Sequence, residues 1–148
     1  MTKYLSFESS QALFNQGVRL VTEHAWAEIN PGKLINCVKR DSVATRSLLC
    51  PAPDLVELLA VLPDSFKHDP LTQLPEGVFF PRLDRKQYTY TFRLTKRDGI
   101  LSVVYKADEW GNWQPPIEGE AVEACGVLLL TLLKHRILTA RELNQLHY

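Results

Sequence analysis

Apolar and polar positions alternate along the segment from Tyr88 to Lys106. Tyr88, Tyr90, Phe92 and Leu94 are interleaved with Thr89, Thr91, Arg93 and Thr95; Leu101, Val103 and Tyr105 are interleaved with Ser102, Val104 and Lys106. A period of two belongs to strands that bury one face and wet the other. Asp98-Gly99, between the two runs, is the dipeptide of a tight hairpin turn. The pattern predicts an antiparallel hairpin over Gln87–Lys106 with its aromatic side toward a core.

Elsewhere the spacing is helical or broken by proline. Ser6 to Gln16 predicts a short helix: Glu8, Ser9 and Ser10 suit its first turn, Leu13 and Phe14 give an apolar face, and Gly17 stands where a left-handed cap would end it. Phe14, Val18, Val21, Ala25 and Ile29 extend a helical spacing, so one longer helix competes. Gly17 in its middle and the β-branched residues after it favour a helix followed by a hairpin around Pro31-Gly32, with Leu34–Lys39 as its second strand. Pro53 or Asp54 opens a further helix, which runs to Leu62 and stops at Pro63. Leu55, Leu58, Leu59 and Leu62 predict its buried face. Pro63 to Pro81 is a long connection with four prolines and room for one short strand at Val78–Phe80. It is either a mobile functional loop or an ordered wrap that lays Phe66, Leu71, Leu74, Phe79 and Phe80 over a core. Ala107 to Pro116 is rich in turn formers.

The most apolar run, Ala124 to Leu133, spans about 15 Å as a helix, about half of what a membrane crossing needs. Glu118, Glu120 and Glu123 precede it and Lys134, His135 and Arg136 follow, the arrangement that a helix dipole favours. The reading is a buried helix from about Gly119 to Arg136, not a membrane span. A last helix begins at Thr139, where Thr139 and Glu142 have capping-box spacing and Leu143 and Leu146 would dock it. Together these elements predict a single α+β domain over residues 1–148, with an antiparallel sheet packed against two or three helices.

Composition narrows the function classes. The 148 residues hold 17 basic and 17 acidic side chains, and hydrophobic residues make up 45%. A balanced charge excludes a general polyanion binder acting through bulk field, and the apolar content excludes a wholly disordered chain. Cys37, Cys50 and Cys125 are odd in number and have no paired spacing, which points to a reduced, cytoplasmic protein. None of the five asparagines Asn15, Asn30, Asn36, Asn112 and Asn144 has Ser or Thr two places on, and the N-terminal residues form no apolar leader.

The familiar chemistries find little support. His24, His68, His135 and His147 are scattered, without zinc-ligand spacing. Cys125 on an apolar helix reads as a core thiol, no nucleophile elbow is present, and all seven glycines are isolated from any phosphate-binding motif. No cofactor, metal or catalytic residue is predicted. Two local features stand out. Arg82, Arg85, Lys86, Arg93, Lys96 and Arg97 face only Asp84 and Asp98 between Arg82 and Gly99, with Tyr88, Tyr90 and Phe92 among them. Cations around stacking rings on a sheet suit single-stranded nucleic acid, whereas the plain reading puts the rings in the core and the cations in water. Trp110 and Trp113 either cover the core edge, anchor a protein interface or form a platform for a small ligand.

The early Glu8, Ser10, Leu13, Gly17 helix, the Pro51–Pro63 block and the apolar helix from Glu120 to Leu133 occur in an order that resembles small uncharacterised proteins encoded by prophages and other mobile elements of gut bacteria. The chain departs from that pattern in its extra C-terminal helix beyond Arg136. The resemblance carries no catalytic residue. The reading is a non-catalytic protein-interaction or accessory module of phage or mobile-element type, and open sheet edges with a near-zero net charge point to a protein partner or a homodimer. Weak single-stranded nucleic-acid binding through the basic hairpin is the alternative.

Overall fold

The computed structural model describes residues 3–30, 33–38, 47–68, 88–108 and 111–145. Its elements run α1 (Phe7–Asn15), β1 (His24–Asn30), β2 (Lys33–Val38), β3 (Ser47–Pro51), α2 (Leu55–Val61), β4 (Ser65–His68), β5 (Tyr88–Arg97), β6 (Ile100–Ala107), β7 (Gly111–Asn112), β8 (Ile117–Glu118), α3 (Ala121–Lys134) and α4 (Ala140–Gln145). The class is α+β, and every pairing among the described strands is antiparallel. The chain divides into two compact units, one made of Met1–Leu62 with Gly119–Tyr148 and the other of Pro63–Glu118. Each carries one of the two sheets.

In the first unit, Ser6 caps α1 by accepting from Ser9 N–H (3.3 Å). Gly17 ends the helix with φ at +89°. Its N–H bonds Phe14 O (3.0 Å), and Val18 N–H reaches back to Leu13 O (3.1 Å), the paired bonds of a left-handed helix stop. This stop settles the competing reading, because the chain leaves the helix and becomes a strand at His24. β1 is the centre of the sheet β2-β1-β3. Asn30 pairs with Lys33 across residues 31–32, so the hairpin is present, while Pro31-Gly32 itself lies outside the described residues.

The sequence gives no sign of β3. Leu48-Leu49-Cys50 is too short to show alternation, and Pro51 is tolerated because it closes an edge strand. α2 starts on Asp54, whose Oδ1 accepts from Glu57 N–H (2.8 Å) while Glu57 Oε1 accepts from Asp54 N–H (3.0 Å), a capping box that fits the spacing Asp54-x-x-Glu57. The buried face of α2 differs from the expected one. Leu58, Val61 and Leu62 are buried, whereas Leu59 is 39% exposed. Neighbouring helical positions are about 100° apart. A two-turn helix packing one narrow face on α3 therefore keeps Leu58 and Val61 and turns Leu59 outward.

α3 also packs against α1. It buries Val122, Ala124, Cys125, Leu128, Leu129 and Leu132, the behaviour predicted for its apolar run. α4 carries one half of the predicted box: Glu142 N–H donates to Thr139 Oγ1 (3.1 Å), while the Glu142 carboxylate accepts from the Thr139 hydroxyl (3.0 Å) in place of its backbone N–H, and Leu143 is fully buried. Asn144 ties α4 to the stop of α1, accepting from Arg19 N–H (2.6 Å) and donating to Gly17 O (3.1 Å).

In the second unit the order is β4-β5-β6-β7, with β8 also paired to β6. β4 lies inside the proline-rich connection Pro63–Pro81, where the pattern predicts a strand at Val78–Phe80 and none at Ser65–His68. With four residues it is too short to declare a period. Val78–Phe80 and the rest of residues 69–87 lie outside the described residues. β5 and β6 form the predicted hairpin. Asp98 and Gly99 have φ of 52° and 80°, the two positive values that a hairpin turn matched to strand twist requires.

Candidate functional site

The β5–β6 hairpin has two halves of opposite character. Its base is an aromatic core. Phe66 of β4 stacks on Tyr90 (5.6 Å between ring centroids) and meets Tyr105 edge-on at 4.9 Å and Trp113 at 5.2 Å. Phe92 adds to the cluster at 5.7 Å from Tyr105. Tyr105 donates its hydroxyl hydrogen to Pro63 O (2.7 Å). Tyr90 and Tyr105 are fully buried.

The outer half is the reverse. Every residue from Arg93 to Ile100 is exposed. In the hairpin register, Arg93 lies opposite Val104, Leu94 opposite Val103, Thr95 opposite Ser102, Lys96 opposite Leu101 and Arg97 opposite Ile100. Directly opposed residues share a face. Arg93, Arg97 and the exposed Lys106 therefore stand on one side and Lys96 on the other. Leu94 and Ile100 are apolar yet 47% and 51% exposed. Thr95 and Ser102 join by their hydroxyls (2.9 Å), and Arg93 approaches the exposed Asp108 at 3.8 Å, a separation and exposure at which a pair contributes little.

Of the residues singled out from sequence, the structure gathers Arg93, Lys96 and Arg97 on this outer half. Arg82, Arg85, Lys86 and Trp110 lie outside the described residues. Trp113 is 6% exposed, so of its three readings the structure takes core cover. As a binding residue it is corrected by its own packing against Phe66. The stacking surface suggested for Tyr90 is corrected in the same way, because a ring enclosed by other rings has no face left for a base. Lys106 was not singled out, although its place in the alternation marks it as outward-facing.

Other polar constellations serve the fold. Glu123 of α3 accepts from Ser6 N–H (3.2 Å), from Ser6 Oγ (2.9 Å) and from Ser9 Oγ, so a carboxylate sits at the start of α1, where the helix dipole favours one. Tyr4 Oη and His24 Nε2 share a hydrogen bond of 3.1 Å. Burial pushes the Cys50 and Cys125 thiols up to about 11, which leaves both protonated at neutral pH and poor nucleophiles. Among the described residues no three His, Cys, Asp or Glu side chains stand together as metal ligands, and no helix is long and apolar enough to cross a membrane. No protein-family model, curated protein or solved structure matches the chain.

Proposed function

We propose that this protein is a non-catalytic interaction module of the cytoplasm, an accessory protein of the mobile-element kind that its sequence resembles, and that it meets its partner through the outer half of β5–β6. One observation carries the reading: a hairpin locked at its base by an aromatic core exposes three cations and two apolar side chains beyond it. Scattered surface leucines are ordinary. Leu94 with Lys96 on one face of the two-stranded projection, and Ile100 with Arg93 and Arg97 on the other, combine apolar area with charge, as partner-binding surfaces do.

Single-stranded nucleic acid is the second reading. The same cations and Lys106 are exposed and could meet phosphates, although the buried Tyr90 and Tyr105 cannot stack bases. The partner under the first reading is another protein or a second copy of the chain.

The test is affinity capture with the full-length protein beside the variant Arg93→Glu/Lys96→Glu/Arg97→Glu, each with and without nuclease treatment, with sedimentation to register self-association. A defined protein held by the wild type and lost with the variant supports the module. Capture that nuclease abolishes overturns it in favour of the second reading. Loss of retention on labelled oligothymidylate even near 50 mM salt would remove that second reading, because phosphate contacts are strongest at low salt.

A further inference from the structure

We infer that the outer edge of β5, from Leu94 to Arg97, accepts an extended acidic peptide as an additional strand. The inference rests on the interaction-module reading and specifies its partner as a segment rich in Asp and Glu.

The two edges of the hairpin are treated differently. That of β6 is covered along most of its length. β8 pairs at Ser102 and Val103, and β7 pairs at Lys106 and Ala107. Between them, the Gln114 side chain accepts from Tyr105 N–H (3.1 Å) and donates to Val103 O (3.4 Å), while Trp113 N–H donates to Tyr105 O (2.7 Å). Among the described residues, the β5 edge is covered only at its base. β4 pairs from Tyr88 to Thr91, and the last bond runs from Phe92 N–H to Asp64 O (2.9 Å). The next residue in register to bond β5 would be Leu62, but its N–H is bonded to Leu58 O (3.0 Å) at the end of α2. Beyond that point no described strand lies along β5.

The register says which groups the edge offers. Alternate residues of a strand turn both backbone groups to the same side. Phe92 N–H points toward β4, so the N–H and C=O of Leu94 and Lys96 point outward in the same direction. Arg93, Thr95 and Arg97 use theirs on β6.

Charge then selects the occupant. Two copies pairing edge to edge about Thr95 would set Arg93 of each against Arg97 of the other, and like charges in direct opposition are destabilising. Cations along an edge are a common guard against such self-pairing. A strand with acidic residues opposite Arg93, Lys96 and Arg97 and an apolar residue opposite Leu94 turns the same guard into attraction, with main-chain bonds supplying affinity and side chains supplying choice.

The probe is a fluorescent decapeptide containing Glu-Glu-Thr-Val-Glu, titrated by fluorescence polarisation against the full-length protein. Its controls are a lysine-for-glutamate peptide and a version N-methylated at alternate backbone nitrogens. Binding should weaken at least about tenfold with Arg93→Glu/Lys96→Glu/Arg97→Glu, with the N-methylated peptide and with Leu94→Pro, which removes one outward N–H and no ladder bond. Leu94→Ala should bind within about threefold of wild type. Amide exchange should slow at Leu94 and Lys96 on binding. Binding indifferent to N-methylation, or exchange unchanged at those two amides, would show adhesion by charge alone and overturn strand addition. No binding of the probe at low salt would overturn it too. In either case, a protein captured only by the wild-type hairpin leaves the module reading standing, whereas loss of that capture as well ends both.

Discussion

Glu123 does more for this fold than its place at the start of α3 suggests. Its carboxylate accepts three hydrogen bonds from the first turn of α1, a segment 117 residues away from it in sequence. Bonds to a carboxylate are each worth roughly 1.5–3 kcal/mol when desolvated and less where, as here, they are part-buried, and removing the acceptor leaves their donors without it. Glu123→Ala is expected to cost about 2–3 kcal/mol in denaturant unfolding. Glu123→Gln, which keeps one acceptor oxygen and loses the charge, should cost about half that; equal losses would show that shape alone matters. Arg136 makes the opposite point. It ends α3 with φ at 59°, and its N–H bonds Leu133 O while Ile137 N–H bonds Leu132 O (3.1 and 3.0 Å). This is the stop that Gly17 gives α1, made with a side chain that dislikes the conformation. Arg136→Gly should stabilise the protein by ~0.5–1 kcal/mol, read as a rise in Tm, because relief of left-handed strain outweighs the extra entropy of glycine in the unfolded chain. The thiols of Cys50 and Cys125 set an alkaline limit. Their pKa is raised in the folded state from 9.0 to about 11, so the unfolded chain releases these protons first. The stability they contribute is whole below about pH 9 and is lost as pH rises through 11. A Tm series over that range should fall less steeply for Cys125→Ala than for wild type.

Short elements in this protein depend on side chains that complete their backbone bonding. β7 and β8 have two residues each, and Gln114 bridges the gap between them on β6. Gln114→Ala should leave Tyr105 N–H without its acceptor at a cost of ~1–3 kcal/mol, with faster amide exchange at Tyr105 as the specific readout; exchange unchanged there would sink the idea. The same shortness explains what could be read from sequence. Long periodic elements announce themselves: the β5–β6 hairpin, the apolar α3 and the α1 stop at Gly17 all follow from pattern and turn chemistry. β3, β4, β7 and β8 do not, because two to five residues carry too little period to distinguish from loop, and their identity is fixed by the strand they pair with. The exposed Leu59 belongs to the same class. Leu55, Leu58, Leu59 and Leu62 satisfy a helical spacing, yet which of two overlapping faces is buried depends on where the neighbouring helix lies. The candidate site was legible in its chemistry, since Arg93, Lys96 and Arg97 lie on the predicted wet side or near the turn. That Tyr90 and Tyr105 would be enclosed by Phe66 and Trp113 needed the paired β4, which sequence pattern did not reveal.

The two units are connected to the chain in different ways, and this difference should order their folding. Pro63–Glu118 is continuous, whereas the other unit is assembled from both ends of the chain. Its binding contacts are correspondingly remote: Glu123 to Ser6 and Ser9, Asn144 to Gly17 and Arg19. Closing a loop of that length costs about 3 kcal/mol more in chain entropy than closing a hairpin, and nothing local repays it until α3 arrives with its buried leucines. The β5–β6 hairpin needs only the Asp98-Gly99 turn, whose residues already favour the required conformation. In pulse-labelled refolding, the ladder amides of β5 and β6, such as Thr95 and Val104, should therefore gain protection before those of β1, such as Ala25 and Ala27. Glu123→Ala should widen that interval, because it weakens a tie between residues up to 117 apart and leaves the hairpin untouched. Simultaneous protection of both sets in wild type and variant would show instead that the two units fold as one cooperative body, and the entropic argument for their order would fail.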